Sequence, residues 1–473
     1  MLDFIKFLLE FVRLVVRREI IKVVKLQPEE FHQALQQGIG RTYLYIKKYG
    51  DSQVKDSILY YCLNHPAYDP QCEGGRADWL VSLIDLTGNQ EFYFSKIIDG
   101  LIQSKDFWST EHLFELCGII AQRNIQRARI AIYHKFDLQE FDESWLGGYE
   151  IIDIERFEGL EYVTQRLGKR LCEEKDYWDD GGVLDYAYEK LGKVEVSQYL
   201  ENVSKTNRYV KRYHEVVESR NTEKSSLNKE SRIERIRRTY SLKKALSDIE
   251  NQKYNFPYQY ITFGKYATIT EIELIFQKLL EETRKEQIIR YLWVFMKREV
   301  PRLDDKLSQF AVSDDEDIRH AAIWTLKLCQ DNSIRDLAIN LNQHPDDKFA
   351  VSSIGLFIKN YQSGDNKYIE SVFSRIRDEN TIHFLCTDLI HIFEENVFDT
   401  NILNKNVLDE LLTSLLWAYE NTPCTICRTK IVRNLIENNL IPQSIIDECQ
   451  FDCVDDIRNL AREYEKNQNI SNL

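Results

Sequence analysis

The segment from Ser313 to Leu341, SDDEDIRHAAIWTLKLCQDNSIRDLAINL, carries two successive apolar stripes at helical spacing. The first stripe consists of Ile318, Ala322, Thr325, Leu326 and Cys329, and the second of Ile334, Leu337, Ala338 and Leu341. Residues spaced at i, i+3, i+4 and i+7 share one face of an α-helix, and the polar QDNS between the stripes favours a turn. The segment therefore predicts two helices joined by a short turn, which restricts the chain to folds built from paired helices.

Four acidic residues open this segment, and they either form a reactive or metal-binding site or begin a helix. Ser313 suits the N-cap position, and Glu316 follows three residues later, which is the pattern of a capping box. The acids would lie in the first turn, where negative charge meets the positive end of the helix dipole. We therefore interpret the cluster as the start of a helix.

The same pattern recurs near the C-terminus. SDDEDIRHAA (313–322) matches DCVDDIRNLA (452–461), so two Asp-Ile-Arg triplets share one setting. In our interpretation the Asp begins a helix, the Ile enters the core and the Arg bonds an Asp of a neighbouring repeat. Over about residues 300–465 the chain resembles HEAT-repeat proteins, in which Asp precedes the second helix of each pair and Val or Ile, Arg and then Ala follow. It also looks like uncharacterised bacterial HEAT-repeat proteins, a resemblance that implies an architecture but no reaction.

Composition agrees with a helical chain. Only 18 Gly and 8 Pro occur in 473 residues, which favours helices with short loops. Residues 109–136 and 406–449 show further helical stripes, and no stretch of strict apolar and polar alternation is long enough to predict a sheet. We predict an all-α fold, a HEAT-like α-α superhelical solenoid, with roughly ten helix pairs of about 40 residues.

A polar, basic stretch interrupts the predicted array. From Lys205 to Lys244 there are 13 Lys and Arg against 5 Glu, in a protein whose net charge is −14. We predict an N-terminal helical solenoid half (1–203), a basic polar insertion or helical arm (204–255) and a C-terminal HEAT-like half (256–473). The arm supplies the candidate partner-binding residues, which are Lys211, Arg212, Arg232, Arg235, Arg237 and Arg238. They either contact a partner or form a solvated helix that pairs internally, because several Glu residues dilute the charge.

Four of the ten cysteines approach the spacing of a zinc site, namely Cys424, Cys427, Cys449 and Cys453. No Gly-rich knuckle surrounds either pair, so we treat them as weak candidates and assign no metal and no cofactor. The sequence QQGIGR (36–41) holds only two glycines of a nucleotide fingerprint. No HExxH, Gly-x-Ser-x-Gly or phosphate-loop motif is present, and we assign no catalytic residue.

The first residues, MLDFIKFLLEFVRLVVRREII, are apolar but interrupted by charges, so we predict neither a signal peptide nor a membrane span there. We predict a helix that caps the end of the protein, with an interfacial or partner-docking helix as the alternative. Scattered cysteines favour a cytoplasmic protein.

The predicted function is that of a non-enzymatic scaffold or adaptor that binds another protein of unknown identity on a concave solenoid surface. One alternative is a nucleic-acid-binding HEAT-like protein of the DNA-repair type, which the net negative charge disfavours. The other is a bilin-handling protein like the phycobilisome lyases, although no residue match supports that assignment.

Overall fold

The computed structural model describes residues 25–138, 145–174, 177, 179, 181–226, 232–251, 256–397 and 405–471. These residues form 28 α-helices and one 3-10 helix without any β-strand, which confirms the predicted all-α class. Within them, no helix combines the length and the apolar character needed to cross a lipid bilayer. The predicted N-terminal helix falls within residues 1–24 and so lies outside the described part of the chain.

The helices follow one another closely along the chain. The first fourteen are α1 Pro28–Gln37, α2 Arg41–Tyr49, α3 Lys55–Leu63, α4 Pro70–Glu73, α5 Ala77–Thr87, α6 Gln90–Gln103, α7 Phe107–Gln122, α8 Gln126–Leu138, α9 Gly148–Glu155, α10 Phe157–Glu173, α11 Gly182–Leu191, α12 Lys193–Val203, α13 Arg208–Ser226 and α14 Arg232–Thr239. The others are α15 Leu242–Glu250, α16 Tyr258–Tyr266, α17 Ile269–Glu281, α18 Lys285–Val294, α19 Asp305–Ala311, α20 Glu316–Leu326, α21 Asn332–Asn342, α22 Asp347–Ser352, the 3-10 helix Ser353–Phe357, α23 Asn366–Phe373, α24 Glu379–Val397, α25 Lys405–Asn421, α26 Thr425–Glu437, α27 Gln443–Cys449 and α28 Asp455–Ser471.

The described residues divide into two compact units. The N-terminal unit contains α1–α13 and also the C-terminal segment 441–471, which includes α27 and α28. The central unit contains α14–α26. The last two helices thus pack with the N-terminal helices, whereas the predicted division assigned them to the C-terminal half. The predicted arm (204–255) contributes α13 to one unit and α14 and α15 to the other.

The C-terminal segment is held against the first helices of the N-terminal unit by several kinds of contact. Trp79 donates its indole N–H to the Phe451 carbonyl at 2.9 Å, and the Phe451 ring stacks on Tyr43 with centroids 4.8 Å apart. Arg41 forms an ion pair with Glu448 at 2.8 Å. These contacts join residues more than 370 positions apart, and so they are formed by tertiary folding alone.

The turn between α1 and α2 explains the two glycines of QQGIGR. A Cβ atom on Gly40 would lie 1.9 Å from the Glu448 carbonyl oxygen and 2.7 Å from the Phe451 carbonyl carbon. The Cys453 backbone N–H donates to the Gly38 carbonyl at 2.9 Å. Glycine is required here because the backbone of the C-terminal segment lies directly on the turn, which accounts for the motif without a nucleotide.

In the central unit, helices pack on their sequence neighbours and on the helix after next. One series of contacts runs from α16 to α18, α20, the 3-10 helix, α24 and α26. Intervening helices pack against this series, such as α17 against α18 and α19 against α20. Alternate helices of the central unit therefore form one row, and the site described below lies along it.

The Asp-Ile-Arg triplets begin helices, as predicted. Asp315, rather than the predicted Ser313, is the N-cap of α20, and its side chain accepts hydrogen bonds from the N–H groups of residues 317 and 318. Ser313 instead accepts from the Asp315 N–H at 3.2 Å. Ile457 of the second triplet is fully buried, as predicted, whereas Ile318 of the first triplet is only half-buried. The acidic cluster is thus a helix start, and its physical role is capping.

Candidate functional site

A cavity of about 660 Å³ opens in the central unit where α20, α22 and α24 meet. Its lining comprises Met296, Glu316, Arg319, His320, Ile323, Trp324, Lys327, Asp347, Lys348, Val351, Ser352, Arg375, Ile376, Arg377, Asp378, Asn380, Thr381, Phe384, Leu385, Thr387 and Asp388. Aromatic and aliphatic side chains form much of the wall, and the lining also holds five Lys or Arg against four Asp or Glu. Such a mixture of apolar wall and a few convergent polar groups is typical of a binding site.

A second depression of about 380 Å³ adjoins this cavity between α18 and α20. It is lined by Glu286, Ile289, Arg290, Trp293, Met296, Asp317, His320, Ala321 and Trp324. Three of these residues, Met296, His320 and Trp324, line the cavity too. We refer to the lining of both depressions as the groove. It crosses several helices of one row, a form that suits an elongated ligand.

The start of α20 places Arg319 in the groove. Arg319 is 3% exposed, its guanidinium carbon lies 4.1 Å from the centre of the Phe349 ring, and its Nη1 donates to the Ser313 carbonyl at 2.8 Å. These contacts differ from the predicted bond to an Asp of a neighbouring repeat. Its Nε, which is buried, has no hydrogen-bond partner among the described residues. A buried cationic donor without a partner costs free energy, so Arg319 adds positive charge to this edge of the groove at the expense of stability.

Lys327 follows directly on the end of α20 and is a buried cation of the groove that faces a carboxylate. Its side chain is 8% exposed, and its Nζ lies 3.5 Å from Asp388 Oδ1 and 3.2 Å from the Trp324 ring centre. Burial lowers the pKa of Lys327, although Asp388 opposes this, and burial raises the pKa of Asp388, although Lys327 opposes that. Water therefore solvates the Lys327–Asp388 pair only in part. A polar ligand atom in the cavity can form the hydrogen bonds that water does not supply to this pair.

Other charged groups of the groove, and Lys285 and Asp315 beside it, already form pairs. Lys348 bonds Glu316 at 2.9 Å, which lowers the pKa of Glu316 and raises that of Lys348. Lys285 lies 2.7 Å from Asp315 and 2.9 Å from Asp317, and its bond to Asp315 lowers the pKa of that N-cap carboxyl. These exposed pairs position the rim and contribute little to stability.

A second cluster lies on the neighbouring helices α24 and α26. The ligand atoms of His383, Cys424 and Cys427 lie within 4.8 Å of one another, and we call these three residues the thiol–imidazole cluster. Cys427 Sγ lies 3.7 Å from His383 Nδ1 and 3.7 Å from Thr387 Oγ1. A hydrogen bond from the Cys424 thiol lowers the pKa of Cys427, and the same bond raises the pKa of Cys424.

The residues predicted as zinc candidates are divided between the units. Cys424 and Cys427 lie in the central unit, whereas Cys449 and Cys453 lie in the N-terminal unit. Cys449 is fully buried, and Cys453 packs on the turn at Gly38. The third member of the cluster is His383, which the sequence did not indicate. No spacing rule links a histidine to cysteines 41 and 44 residues later on another helix.

The predicted partner-binding cations are divided in the same way. Lys211 and Arg212 are exposed on α13 of the N-terminal unit, and Lys211 pairs with Glu215 at 3.8 Å. They line a depression of about 460 Å³ with Cys172, Glu173, Arg208, Tyr209 and Glu215. In the central unit, Arg235 and Arg237 are exposed on α14, while the side chains of Arg232 and Arg238 lie outside the described part. A role for these six residues stays a prediction.

Lys327 was not predicted as a site residue because a lysine on a helix is usually exposed. The one sequence signal for Lys327 is Trp324 three residues earlier, since residues at that spacing share a helix face. Comparison with known proteins adds no assignment, as no family model matches the chain and no curated protein matches it significantly. The function is therefore inferred from the groove itself.

Proposed function

We propose that this chain is a non-enzymatic scaffold of HEAT-like solenoid type that binds a segment of a partner protein in the groove, in the bacterial cytoplasm. The single observation that supports this proposal is the groove along α18, α20, α22 and α24, with its apolar wall and buried cations. The row of alternate helices supports the HEAT-like assignment, because repeat proteins stack helices in this way.

The chemistry of the groove favours a segment with an apolar or aromatic side chain next to an acidic one. Phe384 lines the cavity but is 53% exposed. An apolar partner residue packed on its ring would remove the ring and its own side chain from water, which is favourable. Arg319 and Lys327 lie among these apolar residues and can receive a carboxylate by charge-assisted hydrogen bonds. In protein interfaces a few aromatic or Arg anchors in well-packed pockets carry most of the binding energy.

The test is selection of random peptides on the immobilised full chain, followed by fluorescence anisotropy with one labelled selected peptide. We expect enrichment of peptides that combine Asp or Glu with an aromatic or aliphatic residue. Phe384→Ala should weaken binding about tenfold, since the peptide loses the exposed aromatic ring that it would cover. Lys348→Glu should weaken binding about threefold, mostly through the association rate and more at low salt.

Phe256→Ala is the matched control, because Phe256 is also exposed in the central unit but does not line the groove. Equal binding by the Phe384→Ala and Phe256→Ala variants would contradict the proposal. Tight binding of labelled duplex DNA that weakened steeply with salt and depended on Arg235 and Arg237 would favour the nucleic-acid alternative instead.

A further inference from the structure

We propose that His383 Nδ1 and the sulfur atoms of Cys424 and Cys427 bind one Zn²⁺ ion in the central unit. This site is independent of the partner segment proposed above. It differs from the weak four-cysteine candidate, because a histidine from α24 replaces Cys449 and Cys453, which belong to the N-terminal unit.

The first support is the geometry. A tetrahedral Zn²⁺ ion about 2.3 Å from sulfur and about 2.1 Å from nitrogen places those ligand atoms roughly 3.6 Å apart. Cys427 Sγ and His383 Nδ1 are 3.7 Å apart, and all three ligand atoms lie within 4.8 Å of one another. The Cys427–His383 separation already fits the ion, and the remaining separations, which reach at most 4.8 Å, require side-chain adjustments of up to about 1 Å.

The second support is the way in which the backbone presents the ligands. Cys424 is the N-cap of α26 and Cys427 is in its first turn, so the i, i+3 spacing puts both sulfurs on one side. The Cys424 N–H donates to Thr422 Oγ1 at 3.3 Å, which holds the approach to the helix. Helices α24 and α26 pack on each other and bring His383 to the pair. The ligands are thus held on two packed helices, as a metal site requires.

The third support is charge. Two thiolates neutralise the ion and the imidazole is neutral, so the loaded cluster carries no net charge. This matters because both cysteines are buried, at 4% and 7% exposure, where an uncompensated charge would be costly. Binding replaces the two thiol protons, which leave to solvent as Zn²⁺ enters. Thiolate and imidazole ligands suit zinc better than magnesium or calcium.

Three protein ligands leave a fourth position on a tetrahedral ion. Thr387 contacts Cys427 through its hydroxyl and also lines the groove, so the cluster is one residue away from it. Sites with three protein ligands hold water or a ligand atom in the fourth position, whereas purely structural sites are closed by four. The proposed ion thus belongs to the open type, with water as its resting fourth ligand.

The test uses the full chain, reduced and stripped with a chelator, then titrated with Zn²⁺ and separately with Co²⁺. We expect one Zn²⁺ per chain, with Co²⁺ giving the intense visible bands of tetrahedral coordination and thiolate charge transfer. Cys427→Ser and His383→Ala should each weaken binding at least about a hundredfold. Cys72→Ser, which changes an exposed cysteine of the N-terminal unit, should leave binding unchanged.

A second measurement keeps the result clear if a variant folds poorly. Zn²⁺ should protect Cys424 and Cys427 of the unaltered chain from alkylation, as read by peptide mass mapping, but not Cys72. Absence of stoichiometric binding, binding that survives both ligand substitutions, or protection confined to Cys449 and Cys453 would each overturn the proposal. A Cys424–Cys427 disulfide that persists under reducing conditions without bound metal would overturn it too.

Discussion

The two units differ in how their polar surfaces are covered. In the N-terminal unit, the chain's own C-terminal segment covers the turn between α1 and α2. A carbonyl of this segment accepts a hydrogen bond from Trp79, and a carboxylate of the segment pairs with Arg41. In the central unit, the groove is lined by Arg319 and Lys327, which no comparable segment of that unit covers among the described residues. The N-terminal unit covers this turn with its own C-terminal segment, whereas the groove of the central unit stays open to solvent.

The buried ion pairs show the same contrast. Arg76 and Glu73 form a pair whose side chains are 2% and 0% exposed, while Lys327 and Asp388 are 8% and 21% exposed at the edge of a cavity. A sealed pair depends on both partners, since neither can be solvated if the other is lost. A pair beside a cavity can be reached by water. Space for a ligand therefore adjoins the Lys327–Asp388 pair, whereas both side chains of the Arg76–Glu73 pair are closed off from solvent.

The largest expected effect comes from breaking the sealed pair. Arg76→Met should lower the free energy of unfolding by about 4 kcal/mol, because it leaves the buried Glu73 carboxylate without its cation. Lys327→Met should cost only about 1 kcal/mol, since water in the cavity can solvate Asp388. Urea denaturation, with hydrogen exchange to locate the loss, measures both. Equal losses would remove the contrast between the pairs.

The next effect concerns the fit of the C-terminal segment. Gly40→Ala should lower the free energy of unfolding by about 3 kcal/mol, since its Cβ would collide with backbone rather than with a flexible side chain. The control is Gly88→Ala, at a position with φ of 71° and no atom within 4 Å. Only the left-handed conformation is strained there, so we expect about 1 kcal/mol. Urea midpoints compare the two, and a Gly40 variant as stable as the Gly88 variant would show that the segment yields easily.

The smallest of the three effects depends on pH and lies in the N-terminal unit. Burial, with a smaller contribution from the charge of Glu115, raises the pKa of Glu150 to about 8, and burial raises the pKa of Glu115 to about 7. Between the usual pKa of Glu and these values, the folded chain keeps protons that the unfolded chain loses. Stability is therefore highest at low pH with respect to these groups and falls as the pH rises through 8.

Glu150→Gln should remove part of that loss. A shift of one pKa unit corresponds to about 1.4 kcal/mol, and allowing for partial solvent access we expect a gain of about 2 kcal/mol at pH 9 and none at pH 4. Urea midpoints across this range test it, with Glu189→Gln at an exposed position of the same unit as control. A gain that did not depend on pH would mean that packing, rather than charge, is responsible.

Local patterns allowed the helices to be predicted, because capping and apolar spacing act over a few residues. The start of α20 was predicted within two residues, and the difference arose because Asp315 outcompetes Ser313 for the cap. The HEAT-like arrangement stays a proposal. Contacts such as Gly40 with Glu448, or His383 with Cys427, were not predictable, since each joins distant residues and one sequence holds no record of their proximity.

The contact between the α1–α2 turn and residues 448–453 has a consequence for biosynthesis. A ribosome makes the chain from its N-terminus, so the first helices emerge long before the residues that cover Gly40, which follow about 400 positions later. The N-terminal unit is completed only after the central unit has been translated. Until then Trp79 and Tyr43 lack their partner Phe451. Exposed apolar surface of this kind makes folding intermediates prone to aggregation and is what chaperones bind.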